Sequence, residues 1–353
     1  MTTILLTGGG TAGHVTPNLA IIPELHAQGI ELHYVGRKTG IEKDLLETTA
    51  VTYHSITAGK LRRYFDWKNF TDLALIFLGF LQALKLLLVI RPQLIFSKGG
   101  FVSCPVVWAG WLLRIPVIIH ESDLTPGLAN KLSAPFATKI CYSFPETIRY
   151  LPDSKAVMTG IPVRESLLSG DSQKGKSLCE FDEDKPVILI IGGSLGSRFI
   201  NQSIRQALPS LLKKYQICHI CGQGNIDSEL VSLKGYCQFE YVSDELPHFF
   251  AMADGVISRA GATTLFELLA LKKPSLLIPL PLRASRGDQI LNAQSFKKQE
   301  LCLVLSEGEL TEENLVHQIT ELLKQKRRIE EKIVTSKNLS GSAEIINIFK
   351  TLI

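Results

Sequence analysis

The chain has 353 residues, enough for about two domains of ~150 residues that each bury a core. Apolar residues make up 45% and charged residues 20%, the balance of a packed globular protein rather than a fibre or a disordered tail. Thirty-eight Lys and Arg against 34 Asp and Glu leave a net charge of only +4, too little to neutralise a run of nucleic-acid phosphates unless it is clustered, so no nucleic-acid partner is expected.

In chain order, Ile4 to Leu6 is an apolar run that ends in Thr7-Gly8-Gly9-Gly10-Thr11-Ala12-Gly13-His14, and helical spacing follows from Leu19 to Leu25. Leu32 to Val35 reads as a second strand, stopped by Gly36. A basic and aromatic stretch with Lys60, Arg62, Arg63, Tyr64, Phe65, Trp67 and Phe70 precedes an apolar helix from Leu73 to Ile90 that carries Phe77 and Phe80. It reads as a helix lying on a bilayer surface, with a plain core helix as the alternative. A spanning helix is excluded because the strands at 32–35 and 94–97 belong to one sheet and cannot lie on opposite sides of a membrane. Leu94 to Ser97 runs into Lys98-Gly99-Gly100, and Val117 to His120 supplies a further strand. From Gly160-Ile161-Pro162 through the polar run Ser169 to Lys176 the chain reads as a linker.

The pattern begins again at Val187 to Ile191, which empties into Gly192-Gly193-Ser194-Leu195-Gly196-Ser197 and a helix from Ile200 to Leu212. Ile217–Ile220, Phe239–Val242, Gly255–Ser258 and Ser275–Pro279 are further strand candidates, and a last helix starts at Ala343. These elements predict an α/β protein of two Rossmann-like, doubly wound domains facing across a cleft, 1–163 and 164–338, with a helix at 339–353 packing back on the first.

Gly8, Gly10 and Gly13 satisfy G-x-G-x-x-G between a strand and a helix, where backbone N–H groups can approach a diphosphate. The acidic residue that holds a dinucleotide ribose is missing, since the second strand ends Tyr34-Val35-Gly36-Arg37-Lys38. That argues against NAD and leaves NADP open through Arg37. Two glycine loops half a chain apart fit two phosphate-bearing ligands, or one such ligand and a sugar acceptor, better than one dinucleotide. His14, at the first turn of a helix, is a candidate general base. His120-Glu121 ends another strand at the same sheet edge and either touches substrate or bonds backbone. In the second half, Ser258-Arg259-Ala260-Gly261-Ala262-Thr263-Thr264 offers free N–H groups to a phosphate or sugar, Glu267 suits a ribose diol, and Arg286-Gly287-Asp288-Gln289 suits sugar hydroxyls.

The seven cysteines are odd in number and irregularly spaced, which argues for a reducing compartment. Only Met1 to Thr3 precede the first strand, so no signal peptide is expected. Cys218-x-x-Cys221 has no second pair at zinc spacing, and Asp182-Glu183-Asp184 reads as a solvated charge run, so no metal is expected.

Taken together, Gly8 to His14, Ser97-Lys98-Gly99-Gly100-Phe101-Val102-Ser103, His120 to Asn130, Gly192-Gly193-Ser194, Ser258 to Gly261 and Asp288-Gln289 with Asn292 resemble the MurG family of bacterial peptidoglycan N-acetylglucosaminyltransferases, two-domain enzymes of the GT-B type. The resemblance runs nearly end to end. It implies inverting transfer of GlcNAc from UDP-GlcNAc to the MurNAc 4-hydroxyl of undecaprenyl-linked lipid I, giving lipid II, with no cofactor. The place of action would be the cytoplasmic face of the cell membrane, peripherally bound, and other wall-synthesis proteins are possible partners. It places the acceptor diphosphate near Thr11, Ala12, Gly13, Phe101, His120 and Asp123, with His14 as base. It places the donor near Arg164, Ser194, Val242, Ala262, Thr263, Thr264, Glu267, Asp288 and Gln289, and membrane association at Arg62, Arg63, Trp67, Phe77 and Phe80. Ser122-Asp123 stands where the family often has Gln-Asn. An aspartate beside a diphosphate calls for a compensating basic residue or cation. An NADP-dependent reductase and a non-catalytic nucleotide-sugar binder are the rival classes.

Overall fold

A computed structural model describes residues 2–59, 68–181, 184–193, 196–336 and 341–353. The chain forms two compact units, Met1–Arg164 with Ser340–Ile353, and Glu165–Leu339.

The first unit runs β1 (Thr3–Thr7), α1 (Thr16–Ala27), β2 (Glu31–Gly36), α2 (Ile41–Leu46), β3 (Thr52–Ser55), α3 (Lys68–Ile90), β4 (Leu94–Ser97), α4 (Ser103–Leu112), β5 (Val117–Glu121), α5 (Leu128–Ser133), β6 (Lys139–Tyr142) and β7 (Ala156–Met158). All seven strands are parallel, in the order β3-β2-β1-β4-β5-β6-β7. Strand residues alternate between the two faces. Ile4 and Leu6 enter a core shared with α1, whereas Leu5 enters another shared with Ala83 and Leu87 of α3 and with Val106 of α4. Both faces are therefore covered, which is why these strands read as continuous apolar runs.

The second unit runs α6 (Ser172–Leu178), β8 (Val187–Ile191), α7 (Arg198–Leu211), β9 (Gln216–Ile220), β10 (Tyr236–Phe239), α8 (Leu246–Met252), β11 (Gly255–Ser258), α9 (Ala262–Ala270), β12 (Ser275–Leu277), α10 (Asp288–Lys298), β13 (Leu303–Val304), α11 (Glu312–Lys324) and α12 (Lys326–Thr335). Its sheet is also parallel, in the order β10-β9-β8-β11-β12-β13. The closing helix, α13 (Ser342–Leu352), belongs to the first unit: Ile345, Ile346 and Phe349 are buried with Ile4 and Leu6, and the Phe349 ring meets Phe96 edge-on at 5.2 Å.

Two sequence readings need correction. The supposed linker is structured at both ends: Ile161 and Val163 are buried, and Ser172–Leu178 is a helix whose N-cap Asp171 accepts from Gln173 N and Lys174 N. Strand β10 lies three residues earlier than expected and leaves Val242 in the following loop. The polar pair Asp182 and Glu183 lies outside the described residues.

Strand order fixes where ligands can sit. In each sheet the chain leaves the first strand toward one side and later returns to its other side, between β1 and β4 and between β8 and β11. Loops diverge at such switch points and open a crevice at the carboxyl ends of the strands.

Candidate active site

In the first unit, three loops meet at the β1/β4 switch point. The loop after β1 holds Gly10 at φ +92°, a left-handed conformation that favours glycine, and Phe101 lies against it, 3.3 Å from where a side chain would begin. The loop after β4 turns through Gly99 and Gly100, both at φ +84°; a side chain on Gly100 would strike the Gly9 carbonyl. Thr11 is exposed, and Ala12 and Gly13 are half-buried. Ala12–His14 forms a short 3-10 turn ahead of α1, rather than the first turn of that helix. Its geometry still suits a base. His14 Nδ1 stands 3.1 Å from the Gly9 carbonyl and 3.1 Å from Thr11 Oγ1. Because a carbonyl can only accept, Nδ1 carries the hydrogen and Nε2 the basic lone pair. A backbone bond selects the tautomer.

Beneath this loop lies Glu42, a residue that no motif singled out. Its carboxylate is fully buried and accepts from Gly10 N at 3.4 Å, Arg37 N at 3.1 Å and Arg37 Nε at 3.2 Å. The Arg37 guanidinium in turn lies 5.2 Å over the Phe101 ring, a cation–π contact. Glu42 thus pins the tip of the glycine loop to the end of β2, and the half-buried Arg37 is engaged by Glu42 and Phe101.

The third loop follows β5. His120 is completely buried: Nε2 donates to the Gly160 carbonyl at 2.7 Å, and Nδ1 accepts from Lys98 Nζ at 2.6 Å. The expectation that His120 touches substrate is corrected, since both ring nitrogens are spent within the protein. Burial and the Lys98 charge hold the ring neutral, with its pKa well below the usual histidine value. Glu121 gathers the following turn, accepting from Asp123 N at 3.0 Å, Gly127 N at 2.9 Å and Asn130 Nδ2 at 2.8 Å. Burial pushes Glu121 up to about 7, the neighbouring Asp123 adding to the effect. Lys98, 1% exposed, also donates to Ser122 Oγ at 2.7 Å, and burial pushes it down to about 7. Phe101, Asp123 and the Thr11–His14 segment therefore share one sheet edge.

In the second unit, Gly193 and Gly196, at φ +97° and +72°, turn the loop after β8, and Ser197 caps α7 by accepting from Ile200 N. Ser194 lies outside the described residues. Arg259, 8% exposed, ties this loop to its neighbours, donating to Ser197 Oγ at 2.7 Å and to the Ile278 carbonyl at 3.1 Å, with Glu307 at 3.5 Å. Gly261 caps α9, which presents Ala262, Thr263 and Thr264 in its first turn and Glu267 one turn further in. Gln289 Oε1 accepts from Leu280 N at 3.0 Å, and Asp288 pairs with Arg286 at 2.7 Å, so the start of α10 is fixed by its own side chains. Arg164 falls at the end of the first unit's main segment.

Among the described residues no cluster of His, Cys, Asp or Glu is placed to hold a metal ion. All seven cysteines are free thiols. Cys218 and Cys221 are buried at the end of β9, while the His219 ring between them faces the Tyr236 hydroxyl at 2.9 Å and Asn201 Oδ1 at 3.0 Å.

Helix α3 is long and apolar enough to cross a membrane over Asp72–Ile90, with a mean hydropathy of 2.5. It joins β3 to β4, two strands of one parallel sheet, so both of its ends return to the same body. Its inner face packs on α4, while Leu73, Phe77, Leu78, Leu81, Leu88 and Val89 are exposed, Phe77 by 63%. Half-buried Phe80 lines an open apolar groove of about 680 Å³ with Leu73, Phe77 and Trp108. Arg62, Arg63 and Trp67 lie outside the described residues.

Comparison with known proteins agrees with this arrangement. Residues 4–142 match the glycosyltransferase family 28 N-terminal domain and residues 187–347 its C-terminal domain. The chain is 53% identical over 351 residues to the UDP-N-acetylglucosamine--N-acetylmuramyl-(pentapeptide) pyrophosphoryl-undecaprenol N-acetylglucosamine transferase of Clostridium novyi, covering 99% of this chain and 97% of the relative. Its counterpart in Clostridium kluyveri is 52% identical over 350 residues, with 99% of each covered. The crystal structure of Acinetobacter baumannii MurG superimposes with a TM-score of 0.79 at 25% identity, covering 99% of this chain and 100% of that one. A UDP-GlcNAc 2-epimerase from Neisseria meningitidis, at TM-score 0.70 and 14% identity, shares the fold. With both domain models matched in order and relatives this similar over the full length, the chain belongs to glycosyltransferase family 28 and, within it, to the MurG family of N-acetylglucosaminyltransferases.

Proposed function

We propose that the protein transfers GlcNAc from UDP-GlcNAc to the 4-hydroxyl of MurNAc in undecaprenyl-pyrophosphoryl-MurNAc-pentapeptide, forming lipid II and releasing UDP. The observation that carries this reading is identity of 53% over nearly the whole chain to a transferase named for that donor and acceptor. The reaction is a single displacement with inversion. The acceptor O4 attacks C1 of GlcNAc, the bond from C1 to the diphosphate oxygen breaks, and UDP carries away the electron pair. His14 Nε2 takes the O4 proton, the bond from Nδ1 to the Gly9 carbonyl keeping the ring hydrogen on Nδ1.

The acceptor diphosphate is assigned to the first unit, against the Thr11–His14 turn, Phe101 and the turn bearing Asp123. The donor is assigned to the second: Ala262 to Thr264 at the start of α9 for diphosphate and sugar, Glu267 for the ribose, the Val242 loop for uracil, Gln289 with Asp288 for GlcNAc, and Ser194 for phosphate. Negative charge developing on the leaving diphosphate is met by N–H groups at the start of α9, so neither a metal nor another cofactor is required. The exposed apolar face of α3 is assigned to the bilayer surface that carries the acceptor, which makes the protein peripheral to the cytoplasmic side of the membrane.

Product analysis tests the chemistry. With UDP-GlcNAc and a short-chain lipid I analogue, the acceptor should gain the mass of one N-acetylhexosamine, joined through a β-linkage to O4. An α-linkage would refute inversion, and a product formed without UDP-GlcNAc would refute the donor.

A further inference from the structure

Lys98 is the charge that the site does not yet account for. An ammonium with 1% exposure costs more to bury than a methionine of similar shape, so stability alone does not explain it. Its position is central. The Lys98 N–H donates to the Thr7 carbonyl at 2.9 Å, and its Cβ lies 3.1 Å from where a side chain on Gly8 would begin. The next two residues press on the flanking loops, Gly99 against Asn130 and Gly100 against Gly9. Its ammonium reaches across to His120 Nδ1 and Ser122 Oγ, and the carboxyls of Glu121 and Asp123 act on it electrostatically. The turn that carries the half-buried Asp123 is thus held from beneath by Lys98, beside a Glu121 carboxyl that is itself buried and taken up by Asp123 N, Gly127 N and Asn130 Nδ2.

We propose that Lys98 is a positioning residue for the acceptor: its amine fixes the Ser122–Asp123 turn through His120 and Ser122, and in its protonated form offsets the Asp123 charge, so that this turn and the glycine loop can together receive a diphosphate. The proposal rests on the assignment of the acceptor to the first unit. Lys98 is too deeply buried to touch the ligand, and it acts through the turn.

The test compares wild type, Lys98→Met, Ser122→Ala, Asp123→Asn and the double variant Lys98→Met/Asp123→Asn. Each is assayed for kcat and acceptor KM with the short-chain lipid I analogue at saturating UDP-GlcNAc, for donor KM by varying UDP-GlcNAc at a fixed high concentration of the analogue, and for competition by inorganic pyrophosphate against the acceptor. Lys98→Met should raise both the acceptor KM and the pyrophosphate Ki about tenfold, the scale of one charge acting across roughly 10 Å of protein at an effective dielectric near 20. The donor KM should not move, and kcat should stay within about twofold. Asp123→Asn should lower the Ki in the wild-type background and recover most of the loss in the Lys98→Met background, a coupling that a purely packing role does not produce. Ser122→Ala should raise the Ki by a smaller factor. An unchanged acceptor KM in Lys98→Met would overturn the proposal, as would equal losses on donor and acceptor or no rescue by Asp123→Asn. If Lys98→Met does not fold, a higher Ki in Asp123→Asn or an unchanged Ki in Ser122→Ala overturns it alone. Failure of the wild type to turn over this acceptor would instead remove the functional reading beneath it.

Discussion

Replacing Glu42 tests whether the tip of the glycine loop is held from below. Its carboxylate is completely buried and receives Gly10 N, Arg37 N and Arg37 Nε. Glu42→Ala leaves the two backbone donors without that acceptor, at about 1–3 kcal/mol each. The Arg37 side chain, about a third exposed, recovers water and adds little. Relief of the desolvated carboxylate offsets part of the loss, so a net destabilisation of about 2–4 kcal/mol is expected. Glu42→Gln keeps one oxygen for Arg37 but turns an amide N–H₂ toward a backbone N–H, for about 1–3 kcal/mol. Tryptophan fluorescence during urea unfolding is the assay, because Trp67, Trp108 and Trp111 all fall in the first unit and report it selectively. Both variants should also raise the acceptor KM more than the donor KM. A midpoint shift worth less than about 0.5 kcal/mol in Glu42→Ala would refute the claim that this carboxylate organises the loop.

Three further outcomes follow from the geometry. His14→Ala should lower kcat by a factor of about 10² or more while leaving UDP-GlcNAc affinity unchanged by calorimetry; equal loss of both would remove His14 as base. His219 is held neutral by burial, its pKa pushed down to about 3 from 6.5. The unfolded chain therefore binds the extra proton first, and stability falls as pH drops through 6.5 toward 3, by up to about 1.4 kcal/mol per pH unit. His219→Gln should flatten that acid slope in calorimetric unfolding of the second unit, and an identical slope would show that His219 does not set it. Phe77→Glu with Leu88→Glu should abolish sedimentation with anionic phospholipid vesicles but leave turnover of the short-chain acceptor intact; undiminished vesicle binding would move the membrane contact elsewhere.

How much of this was legible in the sequence depended on burial. Strands β1, β4, β8 and β11 sit inside their sheets with both faces covered, so their apolar runs announced them. Edge strands carry no such signal: β3 is the polar and half-exposed Thr52–Ser55, β7 and β13 have three and two residues, and β10, at the other sheet's edge, was placed three residues late. The glycine loops were readable because positive φ at Gly10, Gly99, Gly100 and Gly193 favours glycine. Glu42, Lys98 and Arg259 were not assigned to the site, since charged residues are usually exposed and only the tertiary fold shows that these three are buried beneath loops. For Lys98 a clue was present, a lone cation set between the mostly apolar strand Leu94–Ser97 and two glycines. For His120 the sequence left a ligand contact and a backbone bond as alternatives, and only the tertiary fold decides between them, by occupying its two nitrogens with Gly160 and Lys98.

The most direct test of the central claim is UDP release from purified protein and UDP-GlcNAc, measured with a short-chain lipid I analogue, with diacylglycerol and with no acceptor. Release that depends on the lipid I analogue is the expected result. Equal release with diacylglycerol, or none with the lipid I analogue despite measurable UDP-GlcNAc binding, would contradict the proposed reaction.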